Sequence, residues 1–397
     1  MRENAGVGVE RRRHLIIGLA LTALVVGVAI PLLRVDSDPE RRAAPAPTVP
    51  PRPDVGRSRP PVVYDLDFAG ERHGFALWGR CTDGVDFRCE RRLLVTEDGV
   101  HWRQQAFAEP ELAAPRRLTG RVVALGGDRL VLTDLGAGGP HDRYFSADGG
   151  RTWRVAATTP DLRVSTIPAD AVLETRCMER VRTGADCWWR RLVVTLPDSG
   201  ERAWLANPPA LDGPRPEPRA AADGSWWVTG RDPRSSDWNV AVSRDNGASW
   251  SVAVLPTDPN LLPAEVTVTG SGPNVYALAT GRRADGWESR SLFAIYRSTD
   301  GGRTWTQTWS GTGGQPRTLG GTAVVQPDGA LFIAPNDVGP AYRSTDGGRS
   351  FQPILDGPRL NSLRRTRSGY LANASGGDGG RFLSSPDGVR WSDVRFR

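Results

Sequence analysis

An eight-residue pattern that returns seven times constrains this chain more than any other feature. Ser146-Ala-Asp148-Gly-Gly-Arg-Thr-Trp153 recurs as Ser243-Arg-Asp245-Asn-Gly-Ala-Ser-Trp250, Ser298-Thr-Asp300-Gly-Gly-Arg-Thr-Trp305 and Ser344-Thr-Asp346-Gly-Gly-Arg-Ser-Phe351. Shorter copies are Thr96-Glu-Asp98-Gly-Val-His-Trp102 and Ser385-Pro-Asp387-Gly-Val-Arg-Trp391, and a longer one is Pro197-Asp198-Ser-Gly-Glu-Arg-Ala-Trp204. The aspartates lie 50, 50, 47, 55, 46 and 41 residues apart. Each copy reads as a hairpin turn: the hydroxyl and carboxylate accept hydrogen bonds from turn amides, Gly takes a positive φ, and the aromatic residue opens the outgoing strand. A fixed period of this length marks a repeat architecture in which each unit buries its face against the next.

The pattern resembles the Asp-box, or BNR, repeat S-x-D-x-G-x-T-W, and the resemblance covers residues 62–397. Those 336 residues divided by seven give 48 per unit, the length of a propeller blade. Apolar runs before the boxes, such as Leu93-Leu94-Val95 and Phe293-Ala294-Ile295-Tyr296, read as third strands. The expectation is an all-β, seven-bladed β-propeller of four-stranded blades, each box joining the third strand to the fourth. Asp98, Asp148, Asp198, Asp245, Asp300, Asp346 and Asp387 are then structural, because a residue that closes every turn recurs in every copy. The box aromatics are expected to pack between neighbouring blades.

Two further segments precede the repeat. Residues 15–33 carry no charged side chain over 19 positions, enough helix to cross a bilayer core, so residues 14–34 read as one transmembrane anchor. Arg11, Arg12 and Arg13 flank it on one side and Asp36, Asp38 and Glu40 on the other, which predicts a cytoplasmic segment 1–13 and an exported remainder. A cleaved signal peptide is the alternative, and it exports the same residues. Between Pro39 and Pro61 there are eight prolines, so residues 35–61 read as an extended Pro/Arg-rich linker.

Export fits the cysteines. Cys81 and Cys89, and Cys177 and Cys187, have neither zinc nor redox spacing, and two local disulfides are the simplest account; four reduced thiols would suit a cytosolic chain. Each pair is expected between the second and third strands of its blade, in blades 1 and 3, on the face opposite the boxes. Blade 3 is expected to have its second strand at Ala171–Thr175 and its third at Arg191–Thr195.

All 51 basic residues are arginine, so any cationic site here is made of guanidinium groups. The net charge of +6 divides into +4 for residues 1–61 and +2 for the rest, and a nearly neutral folded part gives no basic stripe for nucleic acid. The four histidines (His14, His73, His101, His141) are dispersed, so no metal or cofactor is expected. Arginines recur at the ends of predicted second strands, at Arg80, Arg176, Arg231 and Arg282, with Trp188, Trp238 and Trp287 in the same loops. Guanidinium forks bind carboxylates bidentately and indoles stack on flat partners, so these seven residues are the candidate ligand site; local pairing with Asp83, Asp186, Asp232 and Asp285 is the competing reading.

The resemblance implies two kinds of function. Photosystem assembly factors and sortilin-type propellers bind partner proteins, which implies a membrane-anchored extracytoplasmic binding propeller for a protein or acidic glycan. Sialidases and related glycoside hydrolases imply the alternative. Sialidases carry an Arg-Ile-Pro motif and a Tyr-Glu pair, whereas this chain has Thr166-Ile-Pro168 and no Glu after Glu288.

Overall fold

Among the described residues seven sheets, antiparallel except for one strand pair, follow one another along the chain in the computed structural model. The structure describes residues 61–82, 89–105, 120–133, 143–180, 187–256, 262–282, 291–311, 316, 319–335, 340–355, 360–374 and 381–396. The expected anchor and most of the linker lie outside these residues.

Blade 1 is Val62–Phe68, Gly74–Cys81, Cys89–Thr96 and Trp102–Gln105, and blade 2 is Arg121–Ala124, Leu130–Thr133, Arg143–Ser146 and Arg154–Val155. Blade 4 is Asp212–Pro216, Trp226–Arg231, Trp238–Ser243 and Ser251–Val254. Blade 5 is Leu262–Ser271, Asn274–Arg282, Ser291–Ser298 and Thr306–Ser310, with Leu319–Gly320 pairing on its third strand. Blades 6 (Thr322–Val325, Leu331–Ala334, Ala341–Ser344, Gln352–Ile354) and 7 (Leu360–Thr366, Gly369–Ala374, Phe382–Ser385, Ser392–Val394) repeat the order. In these six blades the strands pair in chain order, and the box joins the third to the fourth.

Blade 3 differs from the expected scheme. Its first strand is Val172–Arg180, its second Cys187–Thr195 and its third Arg202–Leu205; the outermost place is taken by the earlier segment Leu162–Val164, parallel to the third strand. The strands expected second and third are therefore first and second, and the box joins second to third. The cause lies in residues 156–171, which in this position would supply an innermost strand. Pro160 and Pro168 lack amide donors, Ala206 N–H donates to the Val164 carbonyl at 2.8 Å, and Ile167 is buried with its N–H on Asn246 of the blade 4 turn at 2.6 Å. The segment is held at the outer edge, and the following hairpin moves one place inward.

The box turns show why their residues recur. In blade 5, Ser298 Oγ donates to Asp300 Oδ1 at 2.8 Å and accepts from Gly302 N at 2.7 Å; Asp300 Oδ1 accepts from Arg303 N and Thr304 N at 3.0 Å, and Oδ2 from the Thr304 hydroxyl at 2.7 Å. Gly302 has φ +89, and a Cβ there would meet the Trp227 ring of blade 4 at 2.6 Å, so backbone strain and packing both exclude a side chain. Box aromatics then pack on the preceding blade: Trp305 on Trp227 at 6.4 Å and Phe351 on Trp309 at 6.3 Å between ring centroids. Each interface buries its own apolar cluster, the largest between blades 4 and 5 around Trp227, Val268 and Phe293.

Among the described residues the ring closes without exchange of a strand between blades 7 and 1. Trp102 of blade 1 meets Phe396, beyond blade 7, at 4.9 Å; Ser368 Oγ donates to the Gly70 carbonyl at 2.7 Å, and Arg364 pairs with Asp65 at 2.9 Å. Both disulfides form: Cys81–Cys89 ties the second and third strands of blade 1, whereas Cys177–Cys187 ties the first and second of blade 3.

Candidate functional site in the axial cavity

The innermost strands enclose an axial cavity of about 540 Å³. An innermost strand has no neighbour on its axial side, so its edge amides need partners other than a sheet ladder. Blade 1 supplies two. Asp65 and Asp67, two residues apart and hence on one face of the strand, accept from Val122 N and Ala124 N of blade 2 at 2.8 and 3.0 Å. Burial pushes the Asp65 carboxyl up, against the pull of Arg364 and the Val122 amide.

Two contacts then reach between blades three apart. Arg219 of blade 4 donates to Asp67 and to the Ala124 carbonyl, both at 2.8 Å, and Arg367 of blade 7 pairs with Asp170, just before the first strand of blade 3. Asp170 also takes Arg129 at 3.4 Å. These struts lock the ring across its axis.

A third cluster stands between blades 2 and 3. Arg143, 1% exposed, donates to the Gly200 carbonyl at 3.0 Å and the Thr195 hydroxyl at 2.6 Å, and pairs with Glu174 at 3.4 Å. Arg202 reaches the same Glu174 oxygen at 3.4 Å. Burial opposes the Glu174 carboxylate, but the two guanidinium groups and the Thr195 hydroxyl outweigh it and hold the acid below its ordinary value.

These pairs leave an excess of positive charge. The cavity wall includes Arg121, Arg143, Arg202, Arg219, Arg364 and Arg365 against Asp67, Glu174 and Glu217. Among the described residues Arg121 and Arg365 have no carboxylate within ion-pair distance, and the buried Arg202 Nε and Arg364 Nη2 have no hydrogen-bond partner. Glu217 accepts from the Val268 amide, and burial pushes its acid up to about 7 against the pull of Arg365.

The residues singled out from sequence lie elsewhere. Arg80 pairs with Glu90 at 3.4 Å, Arg176 donates to the Thr159 hydroxyl at 3.2 Å, and Arg231 donates to the Ser236 carbonyl at 3.0 Å and stacks over Trp238 at 4.9 Å. None of these lines the cavity. Arg231 and Trp238 are brought together as cross-strand partners, Trp238 being buried; Arg176 stands on a first strand, out of register with the other three. The side chains of Arg282 and Trp188, and the whole of Trp287 with Asp83, Asp186 and Asp285, lie outside the described residues. Asp232 caps its own loop through Arg234 N and Ser235 N.

Six box aspartates bond to their turn amides in the Asp300 manner. Asp198 does not: it is exposed and pairs with Arg129 of blade 2, while the blade 3 turn is closed by backbone bonds between Leu196, Gly200 and Glu201. The cavity arginines escaped sequence reasoning, although one signal was present. Three residues before the box hydroxyl, other blades carry Leu93, Val240, Ile295, Ala341 and Phe382, and blade 2 carries Arg143.

Residues 296–307, around the blade 5 box, match the BNR/Asp-box repeat. The chain is a seven-bladed β-propeller that carries BNR/Asp-box repeats. Among solved structures it is similar to the Niastella koreensis GH74 enzyme, at 13% identity and TM-score 0.35 over 83% of this chain and 65% of that one. It is also similar to YCF48 from Cyanidioschyzon merolae, at 16% identity and TM-score 0.40 over 78% and 92%. A third is the β-propeller domain of the Trilobed protease from Pyrococcus furiosus, at 10% identity and TM-score 0.38 over 69% and 83%. The chain thus spans less than two thirds of the GH74 enzyme. No curated protein sequence matches it.

Proposed function

We propose that this chain is a membrane-anchored extracytoplasmic binding propeller that holds an anionic group of its partner in the axial cavity. Residues 14–34 are the anchor, residues 1–13 stay in the cytoplasm, and residues 35–61 space the propeller from the bilayer. The observation that carries the reading is six guanidinium groups around one cavity against four carboxylates, counting Asp65 as the partner of Arg364, with Arg121 and Arg365 outside any ion pair among the described residues. Unneutralised guanidinium in a confined space favours a bound carboxylate, sulfate or phosphate. The cavity volume falls in the usual range for small-ligand sites, about 300–1,000 Å³. Arg121→Gln with Arg365→Gln should abolish binding of a panel of acidic sugars and acidic peptides by the full chain; retention of binding refutes the site. An alkaline-phosphatase fusion after Pro61 should be active, and an inactive one refutes the topology.

One observation favours a second reading, a glycoside hydrolase. Glu217 at about 7 has the proton affinity of a general acid, and Asp67 and Glu174 share its cavity. Turnover of a fluorogenic glycoside panel, lost in Glu217→Gln, would establish it in place of the binding reading.

A further inference from the structure

We infer that the axial cavity takes up its anion together with one proton, and that the proton rests on Glu217. The inference builds on the anion-binding reading above. Glu217 continues the first strand of blade 4, where its N–H donates to the Trp227 carbonyl at 2.9 Å, and it lines the cavity.

The charged groups around it are otherwise committed. On its own strand Arg215 pairs with Glu265 of blade 5 at 2.6 Å and Arg219 with Asp67 of blade 1 at 2.8 Å. On blade 3 Glu174 is held by Arg143 of blade 2 and by Arg202. On blade 7 Arg364 holds Asp65 of blade 1. The wall segments of blade 5 (Thr267, Val268, Thr269), of blade 6 (Thr322, Ala323, Val324) and of the second strand of blade 4 (Trp227) carry no charge. Glu217 is left with the Val268 amide and the field of Arg365, and has no ion pair among the described residues.

This arrangement couples the two events. With the cavity free of anion, Arg365 and the Val268 amide favour the carboxylate while burial opposes it, and the balance falls near neutral pH. An anion that engages Arg365 removes that attraction and adds negative charge beside Glu217. The carboxylate then takes one proton from solvent, and its new O–H can donate to the bound anion. Binding therefore weakens as pH rises through about 7, approaching tenfold per pH unit where the bound form must be protonated.

Calorimetry of the full chain in detergent tests this with inorganic sulfate, whose own charge is constant between about pH 5.5 and 8.5. Two buffers of different ionisation enthalpy report the protons taken up. The wild-type chain should bind sulfate roughly tenfold or more weakly at the upper pH, and take up about half a proton per sulfate at about pH 7, rising toward one at about pH 8.5. Glu217→Gln should bind with one affinity at both pH values and take up none. A wild-type affinity that does not change with pH, or a slope that survives in Glu217→Gln, overturns the proton coupling and leaves the anion site standing. Absence of sulfate binding at either pH overturns both.

Discussion

Blades 3 and 5 carry the same repeat and use it differently. In blade 5 the box carboxylate organises the turn, Gly302 lets the Trp227 ring approach, and the box joins the third strand to the fourth. In blade 3 the aspartate faces solvent, the turn is closed by its own backbone, and every strand of the hairpin stands one place nearer the axis. The hairpin survives loss of the box because Arg143, from the neighbouring blade, donates to the Gly200 carbonyl and the Thr195 hydroxyl. A turn can thus be stabilised from within by an acid or from outside by a buried cation.

The sharpest way to break this comparison is to remove the outside support. Arg143→Leu leaves Glu174 with one guanidinium partner fewer and the Gly200 carbonyl without its donor. Loss of one partner from a buried charged cluster costs about 3–5 kcal/mol, which a shift in the urea midpoint will report. Ile295→Val, at the corresponding place in blade 5, should cost only about 0.5–1.5 kcal/mol.

Next in size are the disulfides, which tie different strand pairs in blades 1 and 3. Replacing either pair by serine should cost about 2–3 kcal/mol from the short loop closed, with non-reducing mass mapping to establish Cys81–Cys89 and Cys177–Cys187 beforehand. A crossed pairing would defeat the assignment of blade 3.

The box acids come third. Asp148→Ala removes acceptors for Arg151 N, Thr152 N and the Thr152 hydroxyl and should cost about 1–2 kcal/mol, whereas Asp198→Ala should stay within about 0.5 kcal/mol of wild type. Equal effects would erase the distinction between the two turns.

The smallest effect is an acid limb. Although burial opposes it, hydrogen bonds from Thr152 and Ser146 hold Asp148 at about 2, below its ordinary 3.8; Asp245, Asp346 and Asp387 also lie at about 2. A carboxyl depressed in the folded state stabilises fully above 3.8 and loses that contribution as pH falls toward 2. Thermal melts between about pH 5 and 2 should show the decline, and Asp148→Ala should make it shallower.

Much of the propeller can be read from the chain because a box turn is a local object. Ser298, Asp300, Gly302 and Thr304 satisfy one another within seven residues, so the pattern carries its own meaning wherever it occurs. The disulfides were legible for the same reason, each closing a short loop. Arg80 and Arg231 recur at one repeat position, and each has a hydrogen-bond partner in its own blade. Recurrence in a repeat reports ancestry as readily as a ligand.

The axial cavity belongs to no single repeat. Asp67 meets Arg219 across 152 positions, and Arg143 meets Thr195 across 52. By itself the sequence determined the number of blades, the turns between their strands and the cysteine pairs, since those contacts form between residues close along the chain. Only the tertiary structure decided that blade 3 is displaced inward and that arginines from different blades converge on one cavity. Those outcomes depend on which edge, charge and surface each blade offers its neighbours once the ring has closed.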